Sequence, residues 1–103
     1  MTARLSTEDR RIRRRSAVLS QQLDDEVVLM DPASGQYYTL NEVGRRIWEL
    51  AAGTPTLGEI HRQLLDEYQV DGEVLWRDLV KLVDHLEAEG LASVEGQHAS
   101  QAP

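Results

Sequence analysis

The chain contains no cysteine and no phenylalanine, only three prolines, and no long apolar run. The missing thiol excludes disulfides, thiolate nucleophiles, iron–sulfur ligation and Cys-type zinc sites. A membrane-spanning helix needs about 20 consecutive apolar residues, and neither that nor the apolar stretch of a secretory signal occurs here. A cytoplasmic protein is therefore expected. Enzymatic landmarks are missing as well. There is no Gly-x-Ser-x-Gly elbow for a nucleophile, no Gly-x-Gly-x-x-Gly, and no Walker loop to cradle phosphates. His61, His85 and His98 lack the i, i+3/i+4 pairing of helical zinc motifs. The first two read as helix-surface residues and the third falls in a polar tail. No enzyme activity, no metal and no cofactor are expected.

What the chain does have is acid, unevenly spread. Residues 1 to 15 carry six Arg against Glu8 and Asp9, a balance of +4, so the formal charge of −7 leaves −11 on the other 88 residues. A body this acidic repels phosphate backbones and anionic lipid surfaces, whereas a short basic arm attracts either. With 103 residues and 41% hydrophobic content, the chain suffices for one core and not two. The expected division is a flexible Arg-rich arm over 1 to 15, a folded domain over 16 to 95, and a disordered tail over 96 to 103.

The apolar pattern changes period once. Ser16 to Leu23 and Glu26 to Met30 are strand-length runs separated by Asp24-Asp25, which is turn chemistry, and they read as a hairpin. Asp31-Pro-Ala-Ser-Gly35 then reverses the chain into a third strand, Gln36 to Leu40. At Asn41, a favoured N-cap, the period lengthens to about 3.6: Val43, Ile47, Leu50 and Ala51 share one helical face, with Gly53 as the expected stop. A second helix starts at the capping box Thr56-Leu-Gly-Glu59 and buries Leu57, Ile60, Leu64 and Leu65. A third runs from about Gly72 to Glu89 with Leu75, Leu79, Leu82, Val83 and Leu86 on one face and Gly90 at C′; Leu91 to Glu95 is a short strand. The result is an α+β domain, a winged helix-turn-helix with a three-stranded antiparallel N-terminal sheet followed by three helices.

A winged helix raises a DNA-binding reading, with the basic arm as the contact. Duplex affinity comes largely from Lys and Arg against phosphates, yet the third helix offers only Arg77 and Lys81 among Asp78, Asp84, Glu87 and Glu89. Its approach, Asp66 to Glu73, is acidic too. Nucleic acid is thus the alternative and not the leading reading.

Tyr37 and Tyr38 sit in a strand, where alternation sends Tyr38 and Leu40 to one face and Tyr37 and Thr39 to the other. One pair enters the core and the other is available to a ligand. Together with Val27 to Asp31, Gly35-x-Tyr-Tyr-x-Leu-Asn41, Gly44-x-x-Ile-Trp48, Gly53-Thr, Glu59-Ile60 to Leu64, Tyr68-x-Val70, Asp78-Leu79 and Leu86-x-x-x-Gly-Leu91, these residues resemble the PqqD family. Its members, also called RiPP recognition elements, are small winged-helix domains that bind leader peptides of ribosomally made, post-translationally modified peptides. The resemblance runs from about Ala17 to Val94 and leans toward the stand-alone leader-binding proteins of lasso-peptide pathways.

That resemblance implies a non-catalytic adaptor, with the leader laid as an extra strand against the third strand, beside the third helix. The backbone of Gln36, Tyr37, Tyr38, Thr39 and Leu40 would pair with it. Specificity would come from Tyr37 and Thr39 and from Val74, Leu75, Asp78, Leu79 and Leu82, with Asp78 and Lys81 on the rim. The partners implied are the precursor leader, a leader peptidase and an ATP-dependent cyclase or other modifying enzyme, with no membrane. The open edge of the third strand is also available to a second copy of the chain.

Overall fold

Among the described residues five strands form two sheets, not one three-stranded sheet with a short addition, and accompany three α-helices. The structure is a computed structural model and describes residues 7–95. In chain order the elements are β1 (Arg11–Arg14), β2 (Leu19–Leu23), β3 (Glu26–Asp31), β4 (Gln36–Leu40), α1 (Glu42–Leu50), α2 (Leu57–Glu67), α3 (Gly72–Ala88) and β5 (Ala92–Glu95).

The antiparallel sheet β2-β3-β4 follows the expected meander. Its first turn places Asp24 at φ 53, a conformation that short polar side chains tolerate. The second turn uses Gly35 at φ 74, and the buried Asp31 organises it by accepting from the Ala33 N–H at 3.0 Å. Val27, Leu29 and Asp31 alternate inward along β3, with Leu40 and Tyr38 beside Val27 and Leu29 on β4. The period-two pattern therefore sets one core face.

Capping chemistry fixes the helices. The Asn41 side chain accepts from the Gly44 N–H at 2.9 Å, and the Thr56/Glu59 box closes reciprocally at 3.1 and 2.9 Å. At the end of α3, Leu91 N–H donates to the Leu86 carbonyl and Gly90 N–H to that of Glu87, a Schellman arrangement with Gly90 at φ 77. The stop after α1 differs from expectation. A 3₁₀ turn spans Ala51–Gly53, and the left-handed residue is Thr54, at φ 57, not Gly53. Pro55 disfavours right-handed helix at Thr54, and Arg11 holds the Thr54 carbonyl from across the fold at 2.9 Å.

The larger correction concerns the arm. Residues 11 to 14 are not a flexible tether but a strand, β1, paired antiparallel with β5. Ile12 is fully buried, its N–H donates to the Pro55 carbonyl at 3.1 Å, and the Leu57 N–H donates to the Arg10 carbonyl at 2.9 Å. Thr7–Asp9 forms a 3₁₀ turn against α2, where a Cβ on Gly58 would come within 3.2 Å of Glu8. A single apolar residue among arginines carries no local periodic signal, so this strand exists only through its tertiary partners. Residues 1–6 and the tail expected over 96–103 lie outside the described residues.

The core joins Leu29, Val27 and Leu40 of the sheet to Ile47 and Trp48 of α1, Leu57, Ile60 and Leu64 of α2, and Leu75, Leu79, Val83 and Leu86 of α3. Ile12, Leu91, Ala92 and Val94 close it from the second sheet. Leu65 was expected inside but is 38% exposed at the end of the α2 stripe.

Candidate functional site

Among the described residues β4 pairs only with β3, so its other edge carries unpaired N–H and C=O groups from alternate residues. A cleft of about 540 Å³ opens where the end of that strand faces α1 and α3. Its floor is apolar: Leu40, Ile47, Leu75 and Leu79 are all buried. At its mouth Val70 and Val74 are 47% and 48% exposed, apolar area that a bound apolar group would cover. Asp78, Lys81 and His85, one to two turns apart on α3, supply charge and hydrogen bonding along the rim.

Eight residues expected at the site converge here: Thr39, Leu40, Val74, Leu75, Asp78, Leu79, Lys81 and Leu82. Three do not line it. Tyr38 is half-buried, and its hydroxyl donates to Glu89 at 2.6 Å and lies 2.7 Å from Gln36 Oε1, tying β4 to the end of α3. That hydrogen bond, with burial and the nearby Glu89 charge, pushes the Tyr38 phenol up to about 12. Tyr37 is 69% exposed and lies on the sheet face away from the helices, in a cross-strand row with Met30 and Leu19.

Sequence reasoning missed Asn41, Val43, Gly44, Ile47, Val70 and His85 as lining residues. His85 falls four residues beyond Lys81 and seven beyond Asp78, so the helical repeat could have found it. It also meets the Tyr38 ring edge-on at 6.0 Å. Val43 and Ile47 were assigned wholly to the core; a cleft that opens through the core edge uses the same stripe twice. His61, the other helical histidine, bonds the Gly72 carbonyl at 2.9 Å and packs edge-on against Trp76, linking α2 to α3.

Arg10, Arg11, Arg13, Arg14 and Arg15, expected on a free arm, are built into the domain. Arg10, Arg11 and Arg13 pair with Glu87, Glu59 and Glu95. Among the described residues no group of three or more His, Cys, Asp or Glu could hold a metal ion, and no helix is long and apolar enough to cross a membrane.

Residues 26–92 match the family described as coenzyme PQQ synthesis protein D (PqqD). Two solved structures are similar over nearly their whole length. One is TbiB1 in complex with the TbiA(beta) leader peptide, at 37% identity and TM-score 0.71, covering 82% of this chain and 95% of that one. The other is lasso peptide synthetase B1 complexed with the leader peptide, at 30% identity and TM-score 0.70, covering 79% and 95%. No match was found among curated proteins. The strand-to-helix segment around β4 and α1 lies inside the matched span, and α3 lies there too; the chain belongs to the PqqD family of RiPP recognition elements.

Proposed function

We propose that this protein is a non-catalytic adaptor of lasso-peptide biosynthesis that captures a precursor's leader peptide as an added strand on the free edge of β4 and hands the precursor to its processing enzymes. The observation that carries the reading is the unpaired β4 edge beside an apolar cleft under α3. The similarity to two proteins solved with leader peptides supports it. An incoming strand matching the five residues of β4 spans roughly 17 Å. Its backbone pairs with β4 whatever its sequence, and its side chains alternate between the cleft and the open sheet face that carries Tyr37.

The energetics are adequate. Burying two or three leader side chains gives ~1.5 to 3 kcal/mol each, offset by ordering a disordered segment, which leaves micromolar to nanomolar affinity. We read α2, α3 and the β1–β5 ribbon as a winged helix-turn-helix turned to peptide capture, acting in the cytoplasm beside a leader peptidase and an ATP-dependent cyclase. In the absence of leader, the same β4 edge is open to a second copy.

Titration of the protein with a fluorescent leader peptide tests this, with Val74→Asp as the discriminating variant. Asp in the first turn of α3 favours the helix dipole, so the fold is kept while an anion enters the mouth of the cleft. Affinity is expected to fall about tenfold or more. Equal affinity of the two proteins would refute the assignment of the cleft. N-methylation of the leader at successive positions should weaken binding with a period of two; a flat profile would rule out strand addition.

A further inference from the structure

A second cleft, of about 750 Å³, lies between β1, β5, the end of α1 and the start of β2. Its lining includes Arg14 and Arg15 from the end of β1, Ser20 of β2, Trp48 of α1, Thr54, and Ser93 of β5. Arg14 stacks over the Trp48 ring at 4.9 Å and donates to the Trp48 carbonyl at 3.2 Å. Arg15 donates to the Gly90 carbonyl at 3.0 Å. These contacts hold the two guanidiniums at the C-terminal ends of α1 and α3, where carbonyls attract cations.

Such contacts leave most of their chemistry unused. A guanidinium has five N–H donors, and Arg14 and Arg15 each direct one to a protein acceptor. Among the described residues neither meets a carboxylate, although Arg10, Arg11 and Arg13 all do. All 18 Asp and Glu side chains of the sequence lie within the described residues. In a chain with 18 acids and 11 bases, two adjacent arginines that meet no carboxylate among the described residues make this cleft locally cationic.

We propose that this cleft docks an acidic segment of a partner protein, leaving the β4 cleft free for a peptide. Three features favour a polypeptide over a nucleic acid. The floor includes apolar Val18, Ala51 and Ala92. Next to it β2 is exposed along all five residues and pairs only with β3 among the described residues, so its edge accepts a strand. Leu19 and Leu23 on β2 are 54% and 50% exposed and suit apolar side chains that a phosphate backbone lacks. The acidic body also repels a long polyanion, whereas a short segment within a Debye length of ~8 Å feels mainly the arginines.

The test uses the full chain and a fluorescein-labelled peptide of roughly 12 residues alternating Glu and Val, long enough to cross β2 and the cleft at ~3.3 Å per residue. Its Gln/Val counterpart and a single-stranded oligonucleotide of equal charge are the comparators. Saturable binding of the Glu peptide is expected, weakened about tenfold by Arg14→Gln with Arg15→Gln and unchanged by Val74→Asp. Arg15→Gln alone, which loses a single carbonyl contact, keeps the test open if the double variant unfolds, and should weaken binding about threefold. The proposal fails if the Glu peptide does not bind, if the Gln peptide binds as well, or if neither variant changes affinity. Tighter binding of the oligonucleotide, or an arginine-dependent dimer in sedimentation, would overturn it in favour of nucleic acid or of a second copy. Because Val74→Asp affects only the leader assay, failure here is distinguishable from failure of the leader-binding reading.

Discussion

Replacing Ile12 by Ala is the sharpest test of the architecture, because the two descriptions of the N-terminal segment disagree about it completely. On a flexible arm the substitution costs nothing. In the structure Ile12 is fully buried, opposite Val94 in the β1–β5 ladder and tied to Pro55 through its N–H. Removing three carbons from such a site costs about 2 to 5 kcal/mol through lost transfer energy and the cavity left behind. A domain of this size has about 5 to 15 kcal/mol in total, and 1 kcal/mol moves its Tm by about 4 to 8 °C. A fall of about 10 °C or more is expected in thermal melts followed by circular dichroism. In urea the midpoint should fall at constant slope, since the surface exposed on unfolding is nearly unchanged. The neighbouring Arg13→Ala, which loses one exposed ion pair to Glu95, should cost under about 1 kcal/mol. An Ile12→Ala protein melting within about 2 °C of the parent would show that β1 is not part of the domain. Deleting residues 1 to 15 would strip a strand from the core, so charge neutralisation is the cleaner perturbation of the basic residues.

Three further outcomes follow from named contacts. Tyr38 should ionise late in a titration followed near 295 nm, and Glu89→Gln should move that ionisation back toward the ordinary value of 10, because the Glu89 hydrogen bond is the main cause of the shift; an unmoved titration would mean the bond does not form in solution. Arg46 binds Glu67 at 2.6 Å and, helped by Gln63, lowers the Glu67 carboxyl to about 2 from 4.5. The stabilisation from a depressed carboxylate is complete above about 4.5 and is lost as pH falls toward 2. The pair is only partly buried, so it contributes about 1 kcal/mol, and Glu67→Gln should flatten stability over that acid range; an unchanged acid limb would refute the link between α1 and α2. Gly44→Ala places a Cβ 3.1 Å from Leu40 Cβ, so the ~1 kcal/mol gain in helix propensity is offset by displacement of the cleft floor. Leader affinity should fall more than stability does, and equal changes in both would argue against a role for Leu40 at the site.

Local rules read much of this protein directly. The N-cap at Asn41, the Thr56/Glu59 box and Gly90 at the end of α3 depend on groups within a few residues of one another, and all were legible as spacing. The alternation of Tyr37 and Thr39 against Tyr38 and Leu40 also needs only the strand period. The eight cleft residues were found because a helix stripe and a strand edge each announce themselves locally, and the family resemblance says which of them to bring together.

Other features depend on encounters between distant segments. Nothing near Ile12 marks it as a core residue; β5, more than 75 residues away, makes it one by supplying a ladder and a buried Val94. Thr54 instead of Gly53 ends the turn after α1 because Pro55 and Arg11 act on it from outside the helix. Composition showed an excess of arginine at one end, whereas only the packed fold separates three neutralised arginines from two left in a cleft. The difference has a single physical origin. Hydrogen bonds and periodicity within an element are short-range and are written in consecutive residues, while burial and charge pairing depend on which surfaces meet, and that is settled only when the chain closes on itself.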